Sequence, residues 1–277
     1  MSTPPTSATP RVWTALETVG AWFLAILWLA PLIYALWASL HTRENATTFS
    51  LTAPVTLHNF LTVLDAAPFG RYYANTVILV VGILVTQLIL ATLAAYAFAR
   101  LQFRGRELLF ALVLVQLMVV PEVLISENYT TMAQLGLVDT ITAIGLPYAA
   151  SAIAIFLLRQ TFKSVPKELD EAAEMEGCGH VQLLWRVYVP LARPTLVAFG
   201  LVSVSYHWNN FLWPIVITNT VGSRPLTVGL AIFNSTESGI EWTLLSTATI
   251  LIVAPLLVAF LIFQRQFVQS FMRAGIR

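Results

Sequence analysis

Six stretches of this chain are apolar for long enough to cross a lipid bilayer, and together they leave little sequence for any other kind of fold. A spanning helix needs ~20 mostly apolar residues to cross the hydrocarbon core. Such stretches fall at roughly 17–40, 74–99, 108–126, 141–162, 195–217 and 243–263. Of the 277 residues, 57% are hydrophobic and only 10% charged, with a mean hydropathy of +0.76. A soluble domain carries about 25% charged residues, so the shortage of charge points to lipid as the solvent. With no water in the bilayer core, backbone groups must pair within each segment, which selects helices. The expectation is an all-α membrane protein, residues 13–277 forming one transmembrane domain of six helices.

Two of the six stretches are interrupted, the third by Glu122 and the fifth by Tyr206-His207-Trp208-Asn209-Asn210. Pro31, Pro121, Pro147, Pro214 and Pro255 also lie inside them. Each proline frees a backbone carbonyl that neighbouring helices must satisfy, which predicts a packed bundle. Residues 1–12 are rich in Ser, Thr and Pro, too polar to bury themselves, and read as a flexible tail. The apolar run after them is too long for a signal-peptide core and has no small-residue cleavage site. It reads as the first span.

Formal net charge is only +1, so no bulk attraction to nucleic acid is implied. The single cysteine, Cys178, allows no intrachain disulfide and no cysteine metal cluster. Placing the N-terminus inside puts twelve of the fifteen Lys and Arg residues on cytosolic segments and leaves Arg43, Arg71 and Arg224 outside. This asymmetry is a positive-inside signal. It puts both termini and the loop 164–194 in the cytosol.

That loop is polar and acidic in a greasy chain. Pro166 suits the start of a helix, and Glu168, Asp170 and Glu171 complement the positive end of its dipole. Ala172 and Ala173 favour helix and leave a smooth surface. Gly177 supplies the left-handed residue that ends such a helix. The 3–4 spacing puts Leu169, Ala172, Ala173 and Glu176 on one face. Beyond Gly179, Val181, Leu184, Trp185 and Tyr188 form a second apolar face, and Pro190 and Pro194 break it before the fifth span. An amphipathic helix lying on lipid is normally basic. The five acids between 168 and 176 instead fit a protein partner.

The loop resembles the EAA motif of ABC-importer permeases: EAA, three residues, Gly, nine residues, then I-x-L-P. Glu171-Ala172-Ala173, Gly177 and Pro190 match in register, with Val187 and Val189 standing for Ile and Leu. Leu135-Gly136-Leu137 leading to Leu146-Pro147, and the run from Trp208 to Pro214, resemble the carbohydrate-type subfamily, similar to maltose-type and glycerol-3-phosphate-type inner-membrane permeases. Where that family usually has Ile-Asp-Gly-Ala, this chain has Met175-Glu176-Gly177-Cys178, and its C-terminal tail matches only loosely. The resemblance implies the type I importer architecture. A second homologous permease subunit completes the pathway, two ATPase subunits bind ATP and Mg, and an extracytoplasmic binding protein delivers the solute. It implies a multi-pass protein of the bacterial or archaeal cytoplasmic membrane. By that likeness Leu169, Asp170, Glu171, Ala172, Ala173, Glu174, Met175, Glu176, Gly177 and Cys178 form the ATPase-coupling segment, a cytosolic coupling helix.

The sequence has no Gly-x-x-x-x-Gly-Lys-Ser/Thr, and its only lysines are Lys163 and Lys167. A phosphate-cradling loop of that kind cannot be built, so the chain reads as a transport subunit and not an enzyme, with no catalytic or metal-ligating residues assigned. Polar groups inside spans are the candidates for a solute pathway. Here these include Ser203, Ser205, Tyr206, His207, Asn209 and Asn210 on the fifth stretch, and Glu122, Glu127 and Asn128 near the third. Ser205, Tyr206, Asn209, Asn210, Trp213 and Asn128 form the pathway set, and His207 reads as a packing residue. The competing role for any of them is interhelical bonding, worth ~0.6 kcal/mol apiece. No Lys or Arg lies deep in a span, which favours a neutral saccharide over an anionic solute. The alternative class, a secondary transporter or channel, calls for intramembrane ion pairs or internal repeats, and Glu122 has no opposite charge within any stretch.

Overall fold

The computed structural model describes residues 11–48, 53–235 and 239–275. Most of the tail expected at 1–12 therefore lies outside the described residues, and residues 11 and 12 already belong to the first helix. The helices are, in order, α1 (Arg11–Ser39), α2 (Arg43–Thr48), α3 (His58–Ala66), α4 (Phe69–Arg100), α5 (Arg106–Val115), α6 (Ile125–Gln134), α7 (Ile141–Gly145) and α8 (Ala152–Lys163). Then follow α9 (Lys167–Met175), α10 (His180–Leu183), α11 (Val189–Leu191), α12 (Arg193–Trp208), α13 (Leu212–Ile217), α14 (Leu226–Gly229) and α15 (Trp242–Gly275). A two-residue antiparallel pair, β1 (Asn234–Ser235) with β2 (Gly239–Ile240), precedes α15.

Among the described residues, three helices are long and apolar enough to cross a membrane: Leu16–Ser39, Phe69–Arg100 and Trp242–Ile262. Three further pairs meet the same length and composition only jointly. These are Arg106–Met118 with Pro121–Gln134, Ile141–Tyr148 with Ala152–Lys163, and His180–Leu191 with Arg193–Trp208, bent by 90°, 46° and 74°. The stretches expected at 108–126 and 141–162 are thus broken helices, and that at 195–217 ends at Trp208 and resumes as α13. Proline is the local cause. Pro121 opens a 3-10 turn after Val120, Pro147 lies in the turn Leu146–Tyr148, and Pro190 and Pro194 flank the third bend.

The chain forms two compact units, Met1–Ala66 with Ile232–Leu251, and Ala67–Ala231 with Ile252–Arg277. In the first, Asn59 closes the C-terminal end of α1: its Nδ2 donates to the carbonyls of Ser39 (3.0 Å) and His41 (2.8 Å). The Trp37 ring stacks on His41 at 4.5 Å, and Thr247 of α15 is fully buried. Most of the apolar surface of α1 faces outward, as lipid or another subunit requires.

The second unit is built on α4, which packs along α8 and also touches α7, α12 and α14. Its buried side recurs every three to four residues, through Tyr72, Thr76, Leu79, Ile83, Gln87, Ala91 and Ala95. Ala91 and Ala95 belong to the same core as Ala154 and Leu158 of α8, where small residues let backbones approach closely. Two apolar cores result. One joins Ala91, Ala95, Phe110, Leu158, Phe162 and Tyr188. The other joins Leu79, Ile83, Met132, Ile144, Trp213 and Ile217. Along α4 and α12 the polar residues Gln87, Ser203 and His207 come between them.

Candidate functional site

At the end of this unit that carries the loop 164–194, α9 is a nine-residue helix held by one side chain above all. Asp170 pairs with Arg100 at the end of α4 (3.5 Å) and accepts a 2.5 Å hydrogen bond from the Tyr188 hydroxyl. The Arg100 guanidinium also lies over the Tyr188 ring, 5.1 Å from its centroid, and donates to the Val165 carbonyl. Tyr188 is fully buried, edge-on to Tyr96 and Phe162 at 5.3 and 5.2 Å. Burial, and then the bond to Asp170, raise the Tyr188 hydroxyl above the ordinary tyrosine range, so it remains a donor. A π-helical stretch, Leu184–Tyr188, precedes α11 and carries this ring.

The tether sets the rotation of α9. Asp170 and Ala173 are half-buried, Ala173 against the core of its own bundle, while Glu168, Glu171, Ala172, Glu174 and Glu176 are exposed and Met175 is 89% exposed. The single face expected from Leu169, Ala172, Ala173 and Glu176 is therefore divided: Ala173 turns inward and the other three are exposed. The second apolar face divides likewise. Leu184 and Tyr188 are buried, whereas Val181 and Trp185 are exposed, because the longer π turn changes which residues align.

Gly177 ends α9 as the sequence requires. It lies at φ +80°, and the Cys178 N–H donates to the Ala173 carbonyl (3.0 Å) and the Gly177 N–H to the Glu174 carbonyl (2.9 Å). This is the Schellman arrangement. Beside the loop, Arg159 is almost buried and makes a forked pair with Glu107 at 2.9 and 3.1 Å, donates to the Phe98 carbonyl, and covers the Phe110 ring at 3.9 Å. One guanidinium thus ties α4, α5 and α8 together.

Between the two apolar cores lies a cavity of about 340 Å³. The Gln87 side chain organises it: Nε2 donates to the Tyr148 carbonyl (2.8 Å) and approaches His207 Nε2 (3.3 Å), and Oε1 accepts from Ser203 (2.6 Å). Of the residues expected to line a pathway, Tyr206 and Asn128 border the cavity. Asn210 meets the neighbouring wall, donating to the Tyr148 hydroxyl at 2.9 Å. Ser205 and Asn209 are exposed away from it and bonded to each other, Asn209 Nδ2 to the Ser205 carbonyl. Trp213 is buried and donates to the carbonyls of Ala143 and Ile144, a packing role.

His207, read from sequence as packing, lines the cavity and is 6% exposed, with Nδ1 buried and without a partner. An unsatisfied buried donor or acceptor costs about 1–3 kcal/mol. Gln87, Gln116, Tyr148 and Ser151 also border the cavity and escape the sequence reading. Gln87 and Gln116 are amides inside apolar stretches, the same signal that singled out Asn128.

At the opposite end from α9, Asp139 takes positive φ (65°) and gathers the segment after α13. It accepts from the N–H groups of Asn219 (2.8 Å) and Thr220 (3.0 Å) and from the Ser223 hydroxyl. Ser223 foremost, then the Thr220 N–H, hold its carboxyl well below the usual carboxylate range. Asn75 of α4 fixes the same segment through the carbonyls of Gly222 and Arg224, both at 2.9 Å.

Apolar helices around a largely apolar cavity with a few convergent polar side chains, and an acidic helix at one end, are the build of a membrane permease. The sequence pattern of the binding-protein-dependent transport system inner membrane component family matches residues 87–273. The chain is 31% identical over 268 residues to the arabinooligosaccharides transport system permease protein AraQ of Halalkalibacterium halodurans, covering 95% of this chain and 96% of that one. It is 35% identical over 207 residues to the sn-glycerol-3-phosphate transport system permease protein UgpE of Yersinia pestis, 74% of each. Its fold is similar to a chain in the crystal structure of a bacterial ABC transporter that imports the acidic polysaccharide alginate, with TM-score 0.82, 26% identity, and 96% and 100% of the two chains covered. The chain belongs to the family of binding-protein-dependent transport system inner membrane components. The resemblance to carbohydrate-type ABC-importer permeases, drawn from the loop and its flanks, is thereby borne out.

Proposed function

We propose that this chain is one of two homologous permease subunits of an ABC importer for a sugar or related carbohydrate solute, driven by a separate ATPase through α9. The observation that carries the coupling role is the orientation of α9. Asp170 turns inward to Arg100, which leaves Glu168, Glu171, Ala172, Glu174 and Met175 presented outward. Four exposed acids, Glu168, Glu171, Glu174 and Glu176, on and just after a short helix fit a basic cleft in a protein better than anionic lipid. The positive-inside bias places this end in the cytosol together with both termini. ATP and Mg bind the partner ATPases, and an extracytoplasmic binding protein delivers the solute, in keeping with the family's description. The six spans comprise the three long helices, the bent pairs Arg106–Met118 with Pro121–Gln134 and Ile141–Tyr148 with Ala152–Lys163, and α12 with α13, while His180–Leu191 stays with the cytosolic loop.

In this reading Glu171 accepts a charge-assisted hydrogen bond from the ATPase, and closure of the ATPases on ATP moves α9 as a rigid piece. Arg100 and Tyr188 carry that movement to α4 and to the turn before α12. ATP shifts the bundle outward only by binding more tightly to the outward-facing state. The test is co-purification and uptake with a candidate ATPase, second permease and binding protein expressed together with this chain. Glu171→Ala is expected to reach the membrane at normal level but to lose at least tenfold in uptake or to shed the ATPase. Normal uptake with normal ATPase retention sinks the coupling role.

A further inference from the structure

We infer that His180–Leu191, the segment that follows the acidic helix, is a membrane-surface anchor that lies in the cytosolic headgroup layer and takes anionic phospholipid through Arg186 and Arg193. This rests on the membrane placement proposed above, with α12 starting at the cytosolic face, and not on the ATPase.

Geometry puts the segment at the surface. It meets α12 at a bend of 74°, with Ala192 alone between the two. Membrane helices tilt by about 20° on average, so a segment turned this far from α12 runs nearer the membrane plane than the normal. A helix joined to a span by one residue also cannot leave the surface at which that span begins. One flank is held by the protein: Leu183, Leu184 and Tyr188 are buried in the core shared with α4 and α8. The other flank is open and apolar. Val181 is 71% exposed, Leu191 50% and Trp185 49%, and Val181 and Trp185 stand four residues apart on one face. Exposed apolar side chains grouped in this way mark a surface that something covers. Tryptophan, an apolar ring with one polar N–H, is enriched where water meets lipid.

Charge selects the occupant. On and just after α9 the exposed charges include Glu168, Glu171, Glu174 and Glu176. From Gly177 to Arg193 there is no Asp or Glu, and Arg186 and Arg193 are exposed. The sign reverses at the glycine stop. Basic residues beside Trp and aliphatic side chains are the composition of helices that lie in a headgroup layer. An arginine stem covers apolar surface while its guanidinium reaches a phosphate. A basic cleft that accepts α9 would repel the arginines, so the two halves of the loop suit different partners, protein for α9 and lipid for the segment after it. Tyr188, whose hydroxyl donates to Asp170, belongs to the anchored segment. The tether of α9 is thereby fastened at the membrane surface.

The test places the assembled importer in nanodiscs of phosphatidylcholine, with and without phosphatidylglycerol. In a Cys178→Ser background, Val181→Cys and Trp185→Cys each carry a nitroxide. Its collisions with oxygen, which partitions into lipid, are compared with its collisions with a water-soluble nickel chelate. Both sites should favour oxygen, and more strongly with phosphatidylglycerol present. Arg186→Gln should lower retention of phosphatidylglycerol over phosphatidylcholine in the purified importer about fivefold. If that variant does not assemble, the nitroxide readings in the two lipid mixtures decide. A preference for the nickel chelate, which puts the face in water, overturns the anchor. So does protection from both reagents, which means that the ATPase or the second permease covers the face. Oxygen preference that ignores phosphatidylglycerol, or retention unchanged by Arg186→Gln, overturns the anionic contact. Labelling of Met175→Cys only from the outer side brings down the membrane placement, and the anchor with it.

Discussion

Gly177 is the residue whose backbone decides where α9 stops. At φ +80° a side chain is strained whatever the space around it, and glycine positions of this kind accept asparagine better than alanine. Gly177→Ala is expected to lose about 1 kcal/mol locally and to reduce uptake more than Gly177→Asn at equal membrane level; equal uptake by the two would refute the role of the left-handed turn. Asp139 makes the corresponding prediction in pH. Its folded pKa is depressed, so its contribution is complete above the unfolded value of about 3.9 and is lost as pH falls through the folded value. Hydrogen exchange at Asn219 and Thr220, after correction for the intrinsic pH dependence, should show constant protection down to about pH 4. Asp139→Ala should remove that protection throughout. Protection that declines already between pH 7 and 5 would mean that another group holds the segment.

Elements in this chain are joined by a few close contacts that no local pattern announces. Gly229 opens directly onto the ring of Tyr72, which is 1% exposed, and an added Cβ would come within 2.7 Å of it. Gly229→Ala should destabilise the protein by about 1–3 kcal/mol, read as a lower unfolding midpoint of the purified protein in detergent. Gly82→Ala has nothing within 4 Å and should be neutral or slightly stabilising; equal behaviour of the two variants would contradict the packing described. The segment 164–190 was legible as helix, glycine stop and proline break because each signal lies within a few residues of its effect. Which face of α9 turns inward was not legible, since it depends on Arg100, seventy residues earlier in the chain. The broken helix at Val119–Val120 was half visible: Pro121 marked the place, but the 90° bend depends on how the flanking pieces pack.

At the scale of the whole molecule, the orientation rests on charge counts and so invites a direct check. Met175 is 89% exposed on α9 and Cys178 is the only cysteine. In a Cys178→Ser background, Met175→Cys should react with a membrane-impermeant maleimide in inside-out vesicles and not in right-side-out ones. The reverse pattern would invert the topology. The sequence by itself determined the solvent, the helical class, the acidic loop and its glycine stop, because hydropathy, charge bias and capping are properties of neighbouring residues. Only the tertiary structure decided that α9 hangs from Arg100 by Asp170, that Trp213 packs, and that Gln87 and His207 meet beside a cavity. Those outcomes join residues up to about 120 positions apart, and such pairings arise from the way helices pack, which no local stretch of sequence specifies.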